Sequence, residues 1–142
     1  MLRSSPNNVK REQIVLAIGD AVIFVFFAMQ GRATHEISLG PNPVLTVLTV
    51  AAPFAVPWFI VAWAFGTFRP DVIRRVGHML LQTAAAWLCA GCIGLVARAI
   101  LLQRPLLPMF AIAVLGINGA LLLGWRLIVS LIEQYFPKRH VS

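Results

Sequence analysis

Acidic side chains are scarce in this chain, with five Asp and Glu in 142 residues beside twelve Lys and Arg, and only 12% of positions carry any charge. A typical soluble domain is about 25% charged, so most ordinary soluble folds are excluded at once. Histidine and cysteine are equally sparse. His35, His78 and His140 are spread over different loops and helix ends, and none falls inside an apolar run, so the facing histidines of a membrane cytochrome are missing. No nucleophile elbow, phosphate-cradling glycine loop or zinc-ligand spacing is present. These absences predict a non-enzymatic protein without metal or cofactor. Cys89 and Cys92 are the only cysteines. Their two-residue spacing resembles a redox pair, but a dithiol site needs aqueous access and a neighbour that stabilises the thiolate. In the middle of an apolar helix they read instead as small apolar residues.

What the chain has is hydrocarbon. Apolar residues make up 59% of it, and the mean hydropathy is +0.83. Four runs, at about 13–30, 44–68, 79–102 and 108–132, are long enough to cross a hydrocarbon core of roughly 30 Å, which takes about 20 helical residues. The expected fold is all-α, an integral membrane four-helix bundle occupying residues 13–136 between tails at 1–12 and 137–142. Gly31 with Gly40-Pro41-Asn42-Pro43, then Arg69-Pro70-Asp71, then Arg104-Pro105 to Pro108 punctuate the runs. Pro53 and Pro57 fall inside the second and are expected to kink it. A cleaved leader is the rival reading of the first run, and Asp20 in its middle argues against it.

The basic residues set the orientation. Arg3, Lys10, Arg11, Arg69, Arg74, Arg75, Lys138 and Arg139 lie on one side, and Arg32 and Arg104 on the other. Loops rich in Lys and Arg stay in the cytoplasm, so both termini are expected there, with the chain in the cell membrane. The positive balance is thus an orientation signal, and Arg69, Arg74 and Arg75 can meet anionic lipid. No basic helix or aromatic-lined groove suggests nucleic acid.

Three charges remain where lipid is costly: Asp20, Arg98 and Arg126. Each costs roughly 2.5–3.5 kcal/mol to insert, so each should face the bundle interior and find a partner. Asp20 lies about 12 Å from the cytoplasmic end of the first helix and Arg126 about 10 Å from that of the fourth, counted at 1.5 Å per residue. Equal depth predicts a buried Asp20–Arg126 ion pair, against the alternative that Arg126 snorkels to the headgroups alone. Near the opposite surface, Arg98 with Arg32 and His35 forms a candidate site for an anion or lipid headgroup, the alternative being an internally neutralised cluster that includes Glu36. Small residues recur every fourth position in two stripes, Ala86, Ala90, Gly94 and Gly116, Ala120, Gly124. Such stripes let helices approach closely, and these two are expected to pack on each other or to join a partner or second copy. Trp63, Trp125 and Tyr135 read as interfacial aromatics.

Taken in order, Gly19-Asp20, Phe27, Gly31-Arg32 to His35, Pro53-Phe54, Trp58, Trp87, Gly94, Arg98, Phe110 and Gly124-Trp125-Arg126 resemble a family of small prokaryotic membrane proteins classed as a domain of unknown function, DUF3054. The resemblance spans nearly the whole chain outside the tails, and Cys89 and Cys92 are not part of its pattern. It implies a four-helix membrane protein and no activity. Two functions are therefore carried forward: a non-enzymatic accessory or binding subunit, or a small proton- or ion-coupled transporter in which Asp20 titrates.

Overall fold

A computed structural model describes residues 6–34, 42–103 and 105–135. Helix α1 spans Pro6–Thr34, α2 Pro43–Ala64, α3 Pro70–Ile73, α4 Val76–Leu101, α5 Pro108–Ala113 and α6 Gly119–Tyr135. A π-helical turn at Val114–Asn118 joins α5 to α6, and the joined rod Pro108–Tyr135 is, among the described residues, one of four helices long and apolar enough to cross a membrane. The others are α1, α2 and α4, and the protein is an all-α, multi-pass membrane protein.

Local chemistry explains the breaks. Asn42 caps α2 by accepting from Leu45 N at 3.2 Å, with Pro43 in the first turn where its missing N–H costs nothing. The helix stops at Ala64, earlier than the Phe68 end expected from hydropathy, because Gly66 takes φ +70° and reverses the chain. The apolar run continues to Phe68, but Thr67 folds back, and its N–H and Oγ1 both donate to Ala62 O, at 3.0 and 3.1 Å.

The outer surface of the bundle is apolar all round, as lipid requires. Ile18, Val22, Ile60, Leu81, Ile93 and Ile112 all stand exposed. Inside, Phe24, Trp58 and Trp87 form a three-ring cluster with centroids 5.8–6.4 Å apart, in the range that favours tilted and edge-to-face pairs. Ala28, Ala62, Ala86, Ala90, Val114 and Leu122 pack around it.

The two small-residue stripes do not meet, contrary to expectation. Ala86, Ala90 and Gly94 are buried, and Gly94 packs on α2, where a Cβ would stand 2.8 Å from Pro53 O and 2.6 Å from Phe54 Cδ1. That carbonyl has no helical donor, since Pro57 lacks the N–H four residues on. Glycine on α4 thus allows close packing against it. Contact between α4 and the last rod falls on other glycines. Gly91 packs under Leu115, and Gly119 lies against Trp87, whose Nε1 donates to Leu115 O at 2.9 Å. Gly116 and Gly124 have open space around them.

Candidate functional site

The polar centre is built on the inward faces of α1, α2 and α6 and the turn after α2. On α1, Leu16, Asp20, Phe24 and Ala28 follow one another at four-residue spacing and are all buried, which is the helical period of a single face. On the last rod the corresponding face carries Val114, Asn118, Leu122 and Arg126. Asp20 is 0% exposed and Arg126 is 1% exposed. Arg126 Nη2 donates to Asp20 Oδ2 at 2.5 Å, and its Nε donates to Oδ1 at 3.4 Å, giving the two-pronged geometry that guanidinium and carboxylate favour. The structure therefore brings together the two residues that equal depth selected.

Two further groups complete the pair. Trp58 Nε1 donates to Asp20 Oδ2 at 3.0 Å, and Arg126 Nη1 donates to Thr67 O at 3.1 Å. The guanidinium carbon also lies 5.1 Å from the Trp58 ring centroid and 4.8 Å from that of Phe68, within cation–π range. Both carboxylate oxygens and all three guanidinium nitrogens are thus engaged. Buried charge is tolerable only under such conditions, because the desolvation cost must be met by pairing and by satisfaction of the remaining donors and acceptors.

The same end of the bundle is fastened by side chains that reach backbone carbonyls. Gln13 Nε2 donates to Phe68 O at 3.1 Å, Ser130 Oγ to Ile73 O at 2.7 Å and Gln134 Nε2 to Arg74 O at 3.1 Å. Gln82 Nε2 donates to Phe65 O. Residues 65–74 are therefore held by α1, α4 and α6 together and form a folded cap over the ion pair. Buried Glu12 lies 4.0 Å from Arg74. Exposed Arg69 pairs with Asp71 at 3.3 Å, a contact worth about 0–1 kcal/mol at a wet surface.

Arg98 is set apart from this centre. Its guanidinium carbon lies 4.1 Å from the Phe110 ring centroid at the opposite end of the bundle. Of its expected companions, Arg32 belongs to the end of α1 but its side chain lies outside the described residues, and so does His35. Cys89 and Cys92 both lie on the outward face of α4. Trp63 and Tyr135 are exposed, whereas the indole of Trp125 covers Gly19 between α1 and α6.

A family model described as a protein of unknown function, DUF3054, matches residues 17–129. The chain belongs to this family. No curated protein and no solved structure matches the chain. The matched span takes in Asp20, Trp58, Thr67 and Arg126, so the whole ion-pair centre lies within the family's domain.

Some members of the site were not visible in the sequence. Trp58 stood out only through the family resemblance, and Thr67 gave no signal, because it acts through a main-chain carbonyl that every residue type supplies. Gln13, Ser130 and Gln134 are ordinary helix residues until the 65–74 cap is folded beneath them.

Proposed function

We propose that this protein is a non-enzymatic membrane subunit, in the cell membrane with both termini cytoplasmic, whose interior is a fixed scaffold and whose outer α6 face binds another transmembrane helix. The observation that carries this reading is the orientation of the Gly116, Ala120, Gly124 stripe. It faces away from the bundle, and both glycines have open space where a side chain would go. Beside it, α1 and α6 enclose an apolar groove of about 660 Å³ whose walls include Ile18, Gly19, Val22, Ala120, Gly124 and Trp125. In lipid, where no hydrophobic force joins helices, a small-residue ridge gives the close backbone approach that holds one helix on another. The eight basic residues of the two tails and the 65–75 connection support the orientation.

The alternative, a proton- or ion-coupled transporter working through Asp20, needs a carboxylate that exchanges protons with a path. Both Asp20 oxygens are committed to Arg126 and Trp58, which supports the scaffold reading. A photoreactive residue in place of Ile117, next to the stripe, tests the proposal in native membranes, with Ile60 on α2 as the comparison position. Both side chains are exposed. A discrete protein adduct is expected at 117, absent at 60, and abolished by Gly124→Leu without loss of folded protein. An adduct of doubled mass indicates a second copy, and any other discrete mass a different subunit. Lipid adducts alone at 117, or an Asp20-dependent proton flux in vesicles, would overturn the reading.

A further inference from the structure

The groove between α1 and α6 has a direction. Its walls run from Val15 and Ile128, on the side of the two termini, to Ile23 and Ala120, and they carry no charged side chain. Counted along α1 at 1.5 Å per residue, the stretch from Val15 to Ile23 is about 12 Å long. One leaflet supplies half of a hydrocarbon core of roughly 30 Å, so the groove has the depth of a single leaflet's acyl chains.

Past the groove, toward the termini, the same two helix faces turn polar. Asp20 meets Arg126 across this interface, and α1 and α6 run in opposite directions, so residues equally far from the pair share a level. Nine residues on from the pair stand Arg11 and Tyr135. Arg11 precedes Val15 by four residues and Tyr135 follows Ile128 by seven, offsets of about 40° and 20° around the helix, so each continues the groove face of its own helix. Both are exposed. The nearby carboxylates are turned elsewhere: Glu12 is buried beside Arg74, and Glu133 stands about 200° around α6 from Tyr135. Among the described residues, Arg11 makes no ion pair.

We infer that the α1–α6 groove binds an anionic phospholipid of the leaflet on the side of the termini. One acyl chain lies against Ile18, Val22, Ala120 and Trp125, and the headgroup phosphate meets Arg11 beside Tyr135. A guanidinium presents paired N–H donors to phosphate oxygens, and the amphipathic ring of tyrosine suits the headgroup level. A zwitterionic lipid offers the same chains and phosphate but adds a cation that Arg11 repels, so the site selects by headgroup charge. The inference stands independently of the partner-binding reading. Gly116 and Ile117 lie outside the groove, and a chain held beside Ala120 and Gly124 continues the surface that the stripe presents.

A photoreactive residue in place of Ile18, inside the groove, tests this in the full chain, with Ile60 on α2 as the comparison position. Both side chains are exposed. The vesicles contain equal parts of phosphatidylglycerol and phosphatidylcholine with identical acyl chains, and mass spectrometry identifies the adducts. One basic residue at a membrane surface changes the attraction of anionic lipid by about fivefold. A phosphatidylglycerol excess of about that size is expected at 18, with the two lipids equal at 60. Arg11→Gln should abolish the excess, and Arg11→Lys should keep most of it. Because Arg11 is exposed, neither variant disturbs the packing of the bundle. Equal adducts at 18, an excess matched at 60, or an excess that survives Arg11→Gln would overturn the proposal. So would a protein adduct of doubled mass in place of lipid at 18.

Discussion

Gly94 and Gly116 sit in stripes of the same spacing and the same residue types, yet the bundle uses them in opposite ways. Gly94 brings α4 within contact of a proline-freed carbonyl on α2, whereas Gly116 touches nothing. Arg126 explains the difference. It stands two residues beyond Gly124, and at about 100° per residue that is some 200° around the helix. Once Arg126 turns inward to Asp20, the Gly116, Ala120, Gly124 stripe is carried to the outside. The buried charge, being far more costly to misplace than a glycine, decides which face of the rod is interior.

The strongest way to break this arrangement is to remove that charge's partner. Asp20→Ala leaves a buried, unpaired guanidinium and should cost about 3–5 kcal/mol in folding stability. Replacing both residues, Asp20→Leu with Arg126→Met, should cost less than Asp20→Ala alone, because an apolar pair leaves no orphan charge. Reversible unfolding in mixed micelles measures both. Losses that simply add would mean the two residues do not act as a pair. Exchanging the charges should not restore stability, since the Trp58 N–H and the Thr67 carbonyl are set for an anion on α1 and a cation on α6. The polarity of the pair is fixed by its neighbours as well as by its members.

The contrast between the stripes gives the next effect in size. Gly94→Ala places a methyl 2.8 Å from Pro53 O and 2.6 Å from the Phe54 ring. A backbone carbonyl cannot swing aside as a side chain can, and overpacking of this kind typically costs about 1–3 kcal/mol. The same unfolding measurement is expected to show a loss in that range. No loss would mean that α2 and α4 can separate freely at this crossing.

Much of this was legible in the sequence, for reasons tied to energy. Membrane spans are visible because lipid demands long apolar runs, and the Asp20–Arg126 pair because intramembrane charge is costly and its depth can be counted. The register of the stripes differs from the expected one for a reason the sequence carries: Arg126 and Gly124 stand about 200° apart around the helix and cannot both face the centre of the bundle. The π turn adds to the difficulty, since a local change of helical period at Val114–Asn118 has no signature in residue type. In the sequence the 65–74 cap shows only as a break at Arg69-Pro70-Asp71. Its strength lies in main-chain carbonyls at Thr67, Phe68, Ile73 and Arg74, which the sequence does not distinguish from any others.

The smallest expected effect is the one that sharpens the comparison most. Gly116→Ala adds a methyl where nothing lies within 4 Å, and alanine in a helix interior is more favourable than glycine by roughly 0.5–1 kcal/mol. Taken alone, the bundle should therefore gain stability from this substitution, opposite in sign to the effect of Gly94→Ala in a stripe of equal spacing. Unfolding of the purified monomer checks the sign. If Gly116→Ala destabilises the monomer, the rod is rotated from the orientation described and the outward face is not outward. If it stabilises the monomer but lowers the yield of the adduct formed at position 117, then glycine at 116 is held for a contact outside the chain, at the expense of the chain's own stability.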